Sequence, residues 1–263
     1  MLFRSVGAGL ALGAALAIKL SGGPVLLFLL LQRRWRAVAA AVGTAAAGNL
    51  LAAMAMGWTA LLTYYLKIGS YVTNYYRTAG HNYALWTTGF RVFEGSLRYT
   101  AFGFSAPPLL AAPALARPAS MLCCLVALGI GLAECARMLR AEKRDEAFGL
   151  ALYLTVLLNP VAWTYHMPLT VLPLGLTFLH LQRRGFPRRE TILGVLFFSI
   201  VSLPFASIVG LQERFGVSDP TVASGMRISF AVGMLSLLPA AGLIGLGALL
   251  ARPSRLPDTD SAG

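Results

Sequence analysis

Residues 159–173 read NPVAWTYHMPLTVLP, and they interrupt an apolar run that extends from Ala147 to Leu179. Arginine-rich segments flank that run, Arg137–Arg144 before it and Arg183–Arg189 after it. Short basic loops stay on the cytoplasmic side of a membrane, so both ends of the run belong inside. The chain must therefore go out and come back, turning near Trp163–His166. Each arm is then roughly 16 residues, or about 24 Å, slightly short of the bilayer core. A Trp, a Tyr and a His at such a turn fit either an aromatic cap at the membrane surface or the edge of a site facing outward.

The composition agrees with a membrane chain. Of 263 residues, 57% are hydrophobic and 12% are charged, against about 25% charged in a soluble domain. The net charge of +12 does not point to nucleic acid, because the basic residues punctuate apolar runs instead of forming a stripe. Cys123, Cys124 and Cys135 fall in one apolar segment without a CxxC pair and read as small core residues. Residues 1–19 lack a clean small-x-small cleavage site and read as a membrane segment. The chain starts almost inside that segment, which is what a fragment or a late start codon would look like.

Taken in order, Val6–Ile18 and Pro24–Leu31 form one broken span or a hairpin of two short helices. Val38–Leu62 is a full span whose Gly and Ala residues permit close packing. Residues 64–104 form the longest polar stretch and are assigned to an outer loop. Ala106–Ala116 is a short proline-broken piece, at the surface or re-entrant. Met121–Ala136, Thr191–Leu211 and Ile228–Leu250 are further spans. The fold class is all-α, a polytopic transmembrane bundle with short helical hairpins. Its transmembrane domain covers residues 1–251, and a polar cytoplasmic tail covers 252–263.

Charge sets the orientation. Arg4, the loops at 33–36, 137–144 and 183–189, and the tail at 252–255 hold 14 of the 22 Lys and Arg. Lys19, Lys67, Arg77, Arg91, Arg98, Arg117, Arg214 and Arg227 remain for the outside or the membrane. An internal echo adds to this: GLAL (9–12) and LQRR (31–34) return as GLAL (149–152) and LQRR (181–184). Chance similarity and a repeated hairpin both account for it. As a repeat, it places Lys19 at an outer turn, like His166.

Candidate residues converge on the outer face: His81, Asn82, Trp86, Arg91 and Glu94 in the loop, Asn159, Trp163, Tyr165 and His166 in the turn, and Lys19. An ionisable residue at membrane depth is costly and is a functional-site hypothesis. Lys19 suits a lipid phosphate or snorkels to the headgroups. His166 is a ligand or a turn histidine bonded to backbone. Trp86 and Trp163 are belt anchors or stacking platforms for a sugar. Arg91 and Glu94, three apart, can pair on a helix face, as can Glu134 and Arg137. His180, near Arg183, reads as structural.

NPVAWTYHMPLTVLP resembles the Ser-Pro-x-Ser-Trp-x-His-His-x-x-x-x-Leu-Pro segment of glycosyltransferase family 87, a family of the GT-C class. Pro160, Trp163 and His166 match, while Asn159 replaces the Ser and Tyr165 the first His. HNYALWTTGFRVFEG (81–95) is similar to its Asn-Gln-Ser-Leu-x-x-x-x-x-Arg segment, with Asn82, Leu85 and Arg91 in place. GLALGAALAIKLSGGPVLLFLLLQRRWRA (9–37) is similar to its Lys-x-x-Pro stretch, with Pro24 later than usual.

The resemblance implies an integral enzyme of the cell membrane, multi-pass, with its active face extracytoplasmic. It would be an inverting hexosyltransferase, mannosyltransferase-like, moving the sugar from a polyprenyl-phosphate donor to a lipid or glycan acceptor. No cofactor and no metal is implied. His166, Arg91 and Lys19 would stabilise the departing lipid phosphate, Asn82 would meet sugar hydroxyls, and Trp163 would join the binding site. The family's base is an acidic residue in an outer loop upstream of the matched segments. Here the outer carboxylates are Glu94, Glu213 and Asp219, so the base is expected to be absent, Glu94 being a weak candidate to replace it. The chain then reads as the C-terminal portion of a longer enzyme, or an inactive copy. The alternatives are a transporter or flippase for an anionic or lipid-linked substrate, and a non-catalytic membrane scaffold. A transporter needs polar groups at the bilayer midplane; these spans are nearly bare there.

Overall fold

The computed structural model describes residues 6–77, 79, 82–95, 107–162, 164–203, 207, 210 and 234–252. It is all-helical over these residues. Pro24 in the first turn of α2 (Gly23–Leu31), after α1 (Val6–Ile18), closes a hairpin of two short helices rather than one broken span. Next comes α3 (Trp35–Met56), which stops at Gly57 with φ 88° and ψ 149°, a backbone setting open only to glycine. The single span expected over Val38–Leu62 therefore breaks there. Residues 58–75 are helical, as α4 (Trp58–Thr63), a π-helical turn (Tyr64–Ile68) and α5 (Gly69–Tyr75). A short α6 (Thr87–Phe93) follows.

The expected separation of 106–116 from the following span is overturned in part. Helix α7 runs unbroken from Pro113 to Arg140. Pro113 stands in its first turn, where a missing N–H costs nothing, and Pro118 follows within the next turn and a half. Helices α8 (Arg144–Leu157) and α9 (Val171–Arg183) make the hairpin read from the opening stretch, joined through a 3-10 turn at Thr164–Thr170. Helices α10 (Arg188–Val201) and α11 (Leu238–Leu250) close the bundle as an antiparallel pair.

The basic connections gather at one end. Arg137 donates to the carbonyl of Ala251, Arg183 pairs with Glu146 at 3.4 Å, and Arg184 and Arg252 share Glu190. Phe28, Leu29 and Ala37 pack into the same cluster as Met138 and Ala147, which brings the 31–36 turn to that end too. Three helices turn back there with the same hydrogen-bonded cap: Arg34, Lys143 and Phe186 donate N–H to the carbonyls of Leu29, Met138 and Leu181. The residues that make these caps possible are Arg33, Glu142 and Gly185, all with positive φ.

Helix α8 is the axis of the bundle. Ten of its 14 residues are buried, and it packs against α2, α7, α9 and α11. The peripheral helices are the reverse. Leu50, Leu51 and Met54 on α3, and Leu122, Leu125 and Ile130 on α7, are exposed. Both helices are long and apolar enough to cross a membrane. Outward-facing apolar residues on helices of that length suit a lipid-facing surface.

Packing of α1 on α3 is close because both lines are small. A Cβ on Gly9 would lie 2.3 Å from the carbonyl oxygen of Ala37, and one on Gly13 would lie 2.3 Å from that of Ala41. The Gly9-xxx-Gly13 spacing is thus the contact face, and the pairing shows that α1 and α3 run parallel.

Candidate functional site

The end of the bundle away from the basic connections holds the polar groups. Two turns meet there. Lys19 follows α1 in the first hairpin, and His166 lies in the 3-10 turn of the second. The Lys19 ammonium contacts Nε2 of His166. The GLAL…LQRR echo thus has a structural counterpart: two hairpins, α2 packed on α8, with one candidate residue at each turn.

Asn159 fixes the histidine. Its Oδ1 accepts the Val161 N–H at 3.3 Å, so its Nδ2 is the atom facing His166 Nε2, at 3.0 Å. An amide NH2 only donates. Nε2 is therefore the acceptor, the ring proton sits on Nδ1, and the imidazole is neutral; this tautomer is assigned from its partners. Lys19 shares the same acceptor. Burial holds the Lys19 pKa below the ordinary lysine value.

Asn82, fully buried, ties the segment before α6 to the turn after α8. Its Nδ2 donates to the carbonyls of Tyr76 (3.0 Å) and Pro160 (3.1 Å). Its Oδ1 accepts from the N–H groups of Ala84 (3.2 Å) and Ala162 (3.0 Å). Two donors and two acceptor sites are all that an amide side chain has. Backbone bonds from Tyr83 to Ala162 and from Leu85 to Leu157 extend the seam.

Arg91 is 2% exposed. It donates to the carbonyls of Ala79 (2.7 Å) and Asn82 (3.4 Å) and to Thr87 Oγ1 (3.2 Å). Burial lowers its guanidinium to about 10, so it stays charged at neutral pH. Glu94 faces Arg77, not Arg91: Nε and one terminal nitrogen of Arg77 both reach Glu94 Oε2, each at 3.0 Å. Arg77 also donates to the carbonyl of Asn74 and lies over the Phe90 ring.

Hydrogen bonds thus join Lys19, His166, Asn159, Asn82 and Arg91 into one region, with Arg77 and Glu94 beside it. Trp163, His81, Glu213 and Asp219 lie outside the described residues. Trp86 packs on Phe90 and against the α8–α11 core. Arg77 was not singled out in the sequence; the signal was that Glu94 is the one carboxylate between residues 64 and 104. With Lys19, Arg77 and Arg91 against Glu94, the region is net positive and suits an anion.

No curated protein and no solved structure matches this chain. The family model described as glycosyltransferase family 87 matches residues 1–162, which is more than half of the 263 residues. The match takes in Lys19, Asn82, Arg91 and Asn159 and stops four residues before His166. It agrees with an all-helical chain whose longest helices are fit to cross a membrane, and the chain belongs to glycosyltransferase family 87.

Proposed function

We propose that this glycosyltransferase is an inverting hexosyltransferase that moves mannose from a polyprenyl-phosphate donor to a lipid or glycan acceptor at the extracytoplasmic face. The contact between Lys19 and His166 at the bundle end opposite the basic loops carries this reading. Basic loops favour the cytoplasm, so the opposite end belongs outside. A multi-pass chain with a cationic group at an outer turn is suited to a lipid-linked phosphate, which approaches from the membrane itself.

In the reaction, the acceptor hydroxyl attacks the anomeric carbon as the bond from that carbon to the phosphate oxygen breaks. Negative charge grows on the departing lipid phosphate, and the hydroxyl proton leaves to a base. Lys19 is the group assigned to that phosphate. His166 stands with it, since its neutral Nε2 holds the ammonium at the turn. Arg91 contributes charge from behind the seam and braces the backbone of Ala79 and Asn82. Asn82, whose bonds are all made to backbone, serves as a positioning residue rather than as a sugar ligand. Trp163 is assigned to the sugar face.

Among the described residues, Glu94 is the one carboxylate at this end, and Arg77 orients it. It is the residue to test as base. Membranes carrying the protein are given radiolabelled polyprenyl-phosphate mannose. Transfer of label to endogenous acceptor is expected, and His166→Ala should lower it by about 100-fold with the protein still inserted. Undiminished transfer by His166→Ala removes that residue from the site. A Glu94→Gln protein that transfers normally removes Glu94 as the base.

A further inference from the structure

We propose a second anion site at the basic end, between α8, α9 and α10, built to hold a phosphate group. His180 lies in the last turn of α9, and Arg184, four residues on, is the residue that caps that helix. His180 is 2% exposed, and its buried Nε2 has no hydrogen-bond partner among the described residues. Arg184 Nε is buried and unpartnered in the same way, although Arg184 reaches Glu190 through another nitrogen. A buried polar atom left unmet is costly. In the tautomer that carries its proton on Nε2, His180 is a donor like the Arg184 Nε–H, and an acceptor that takes both is what the pair lacks.

The surroundings favour an anion over a neutral acceptor. Arg183 pairs with Glu146, and Arg184 shares Glu190 with Arg252. Lys143 makes no ion pair among the described residues. Positive groups therefore outnumber carboxylates here. Lys143 lies in the connection before α8, where burial holds its pKa down, with Arg137 and Arg184 adding to the effect and Glu146 opposing it. A phosphate oxygen beside His180 and Arg184 would relieve that crowding. The site lies at the ends of helices that bury their apolar cores, at the level where a bilayer keeps its headgroups. A lipid phosphate and a free phosphate share this chemistry.

The purified full chain in a neutral detergent is tested by thermal unfolding with three additives: short-chain phosphatidylglycerol, short-chain phosphatidylcholine and inorganic phosphate. A saturable rise of several degrees with phosphatidylglycerol and none with phosphatidylcholine assigns a headgroup. A rise with inorganic phosphate as well assigns a free anion. His180→Phe fills the same space without the donor and should weaken the response about tenfold. Lys143→Gln, at a half-exposed position that folding tolerates, should weaken it in the same direction. Equal responses to both lipids without one to phosphate, no response at all, or a full response in Lys143→Gln each overturn the proposal. Sugar transfer is not part of the readout, so failure here leaves the outer site untouched.

Discussion

Lys19 and His166 are 147 positions apart in sequence and touch at the turns of two helical hairpins. The contact exists because α2 and α8 pack side by side with their turns at the same end. Phe28 and Leu29 of α2 and Ala147, Leu150 and Ala151 of α8 are all buried in one cluster, which fixes the register. Asn159 then locks the imidazole in the tautomer that accepts from the lysine.

Because burial lowers the Lys19 pKa, the ammonium loses its proton on the way up to the usual lysine value of 10.5. Deprotonation removes the positive charge, so the KM for the donor should rise with increasing pH, starting below that value. An ordinary arginine stays charged there, and Arg91, lowered to about 10, is common to both proteins. A Lys19→Arg protein should therefore carry this alkaline loss to higher pH. Identical profiles for both proteins would remove Lys19 as the titrating group.

Removing the Asn82 amide should damage stability as well as activity. Asn82→Ala leaves the N–H groups of Ala84 and Ala162 and the carbonyls of Tyr76 and Pro160 unmet inside the seam. The expected loss is about 3 kcal/mol, seen as a lower unfolding midpoint in detergent.

Two glycines should answer the same substitution with opposite signs. Gly13→Ala drives a methyl group into the Ala41 carbonyl and should lower stability by about 2 kcal/mol. Gly43→Ala meets nothing within 4 Å and should gain up to about 1 kcal/mol from helix propensity. Thermal unfolding of the two variants side by side decides it.

Glu142 holds φ 58° in the cap that ends α7. A side chain in that conformation costs about 1 kcal/mol, which glycine avoids. Glu142→Gly should raise the unfolding midpoint by a few degrees without affecting transfer.

Much of this bundle was legible in local signals. The arginine clusters marked the turns of one end, and the Lys19 and His166 interruptions marked turns at the other. Glu134 pairs with Arg137 as its spacing suggested. What failed to show locally was decided by partners distant in sequence. The helix over Pro113–Arg140 starts before the apolar run because proline is harmless in a first turn and α6 packs along it. Glu94, the residue that caps α6, prefers Arg77, 17 residues away, to Arg91 three residues before it, because Arg91 is drawn inward to backbone carbonyls. The saturation of Asn82 is also invisible in sequence, since Pro160 and Ala162 supply half its bonds.

The most direct test is equilibrium binding of radiolabelled polyprenyl-phosphate mannose to the reconstituted protein, with Lys19→Met, His166→Ala and the double variant. Each single change should weaken binding by about tenfold. The double should be little worse than either single, because the two residues act as one element. Wild-type binding in both single variants, or losses that simply add in the double, would contradict the assignment of Lys19 and His166 to the donor phosphate.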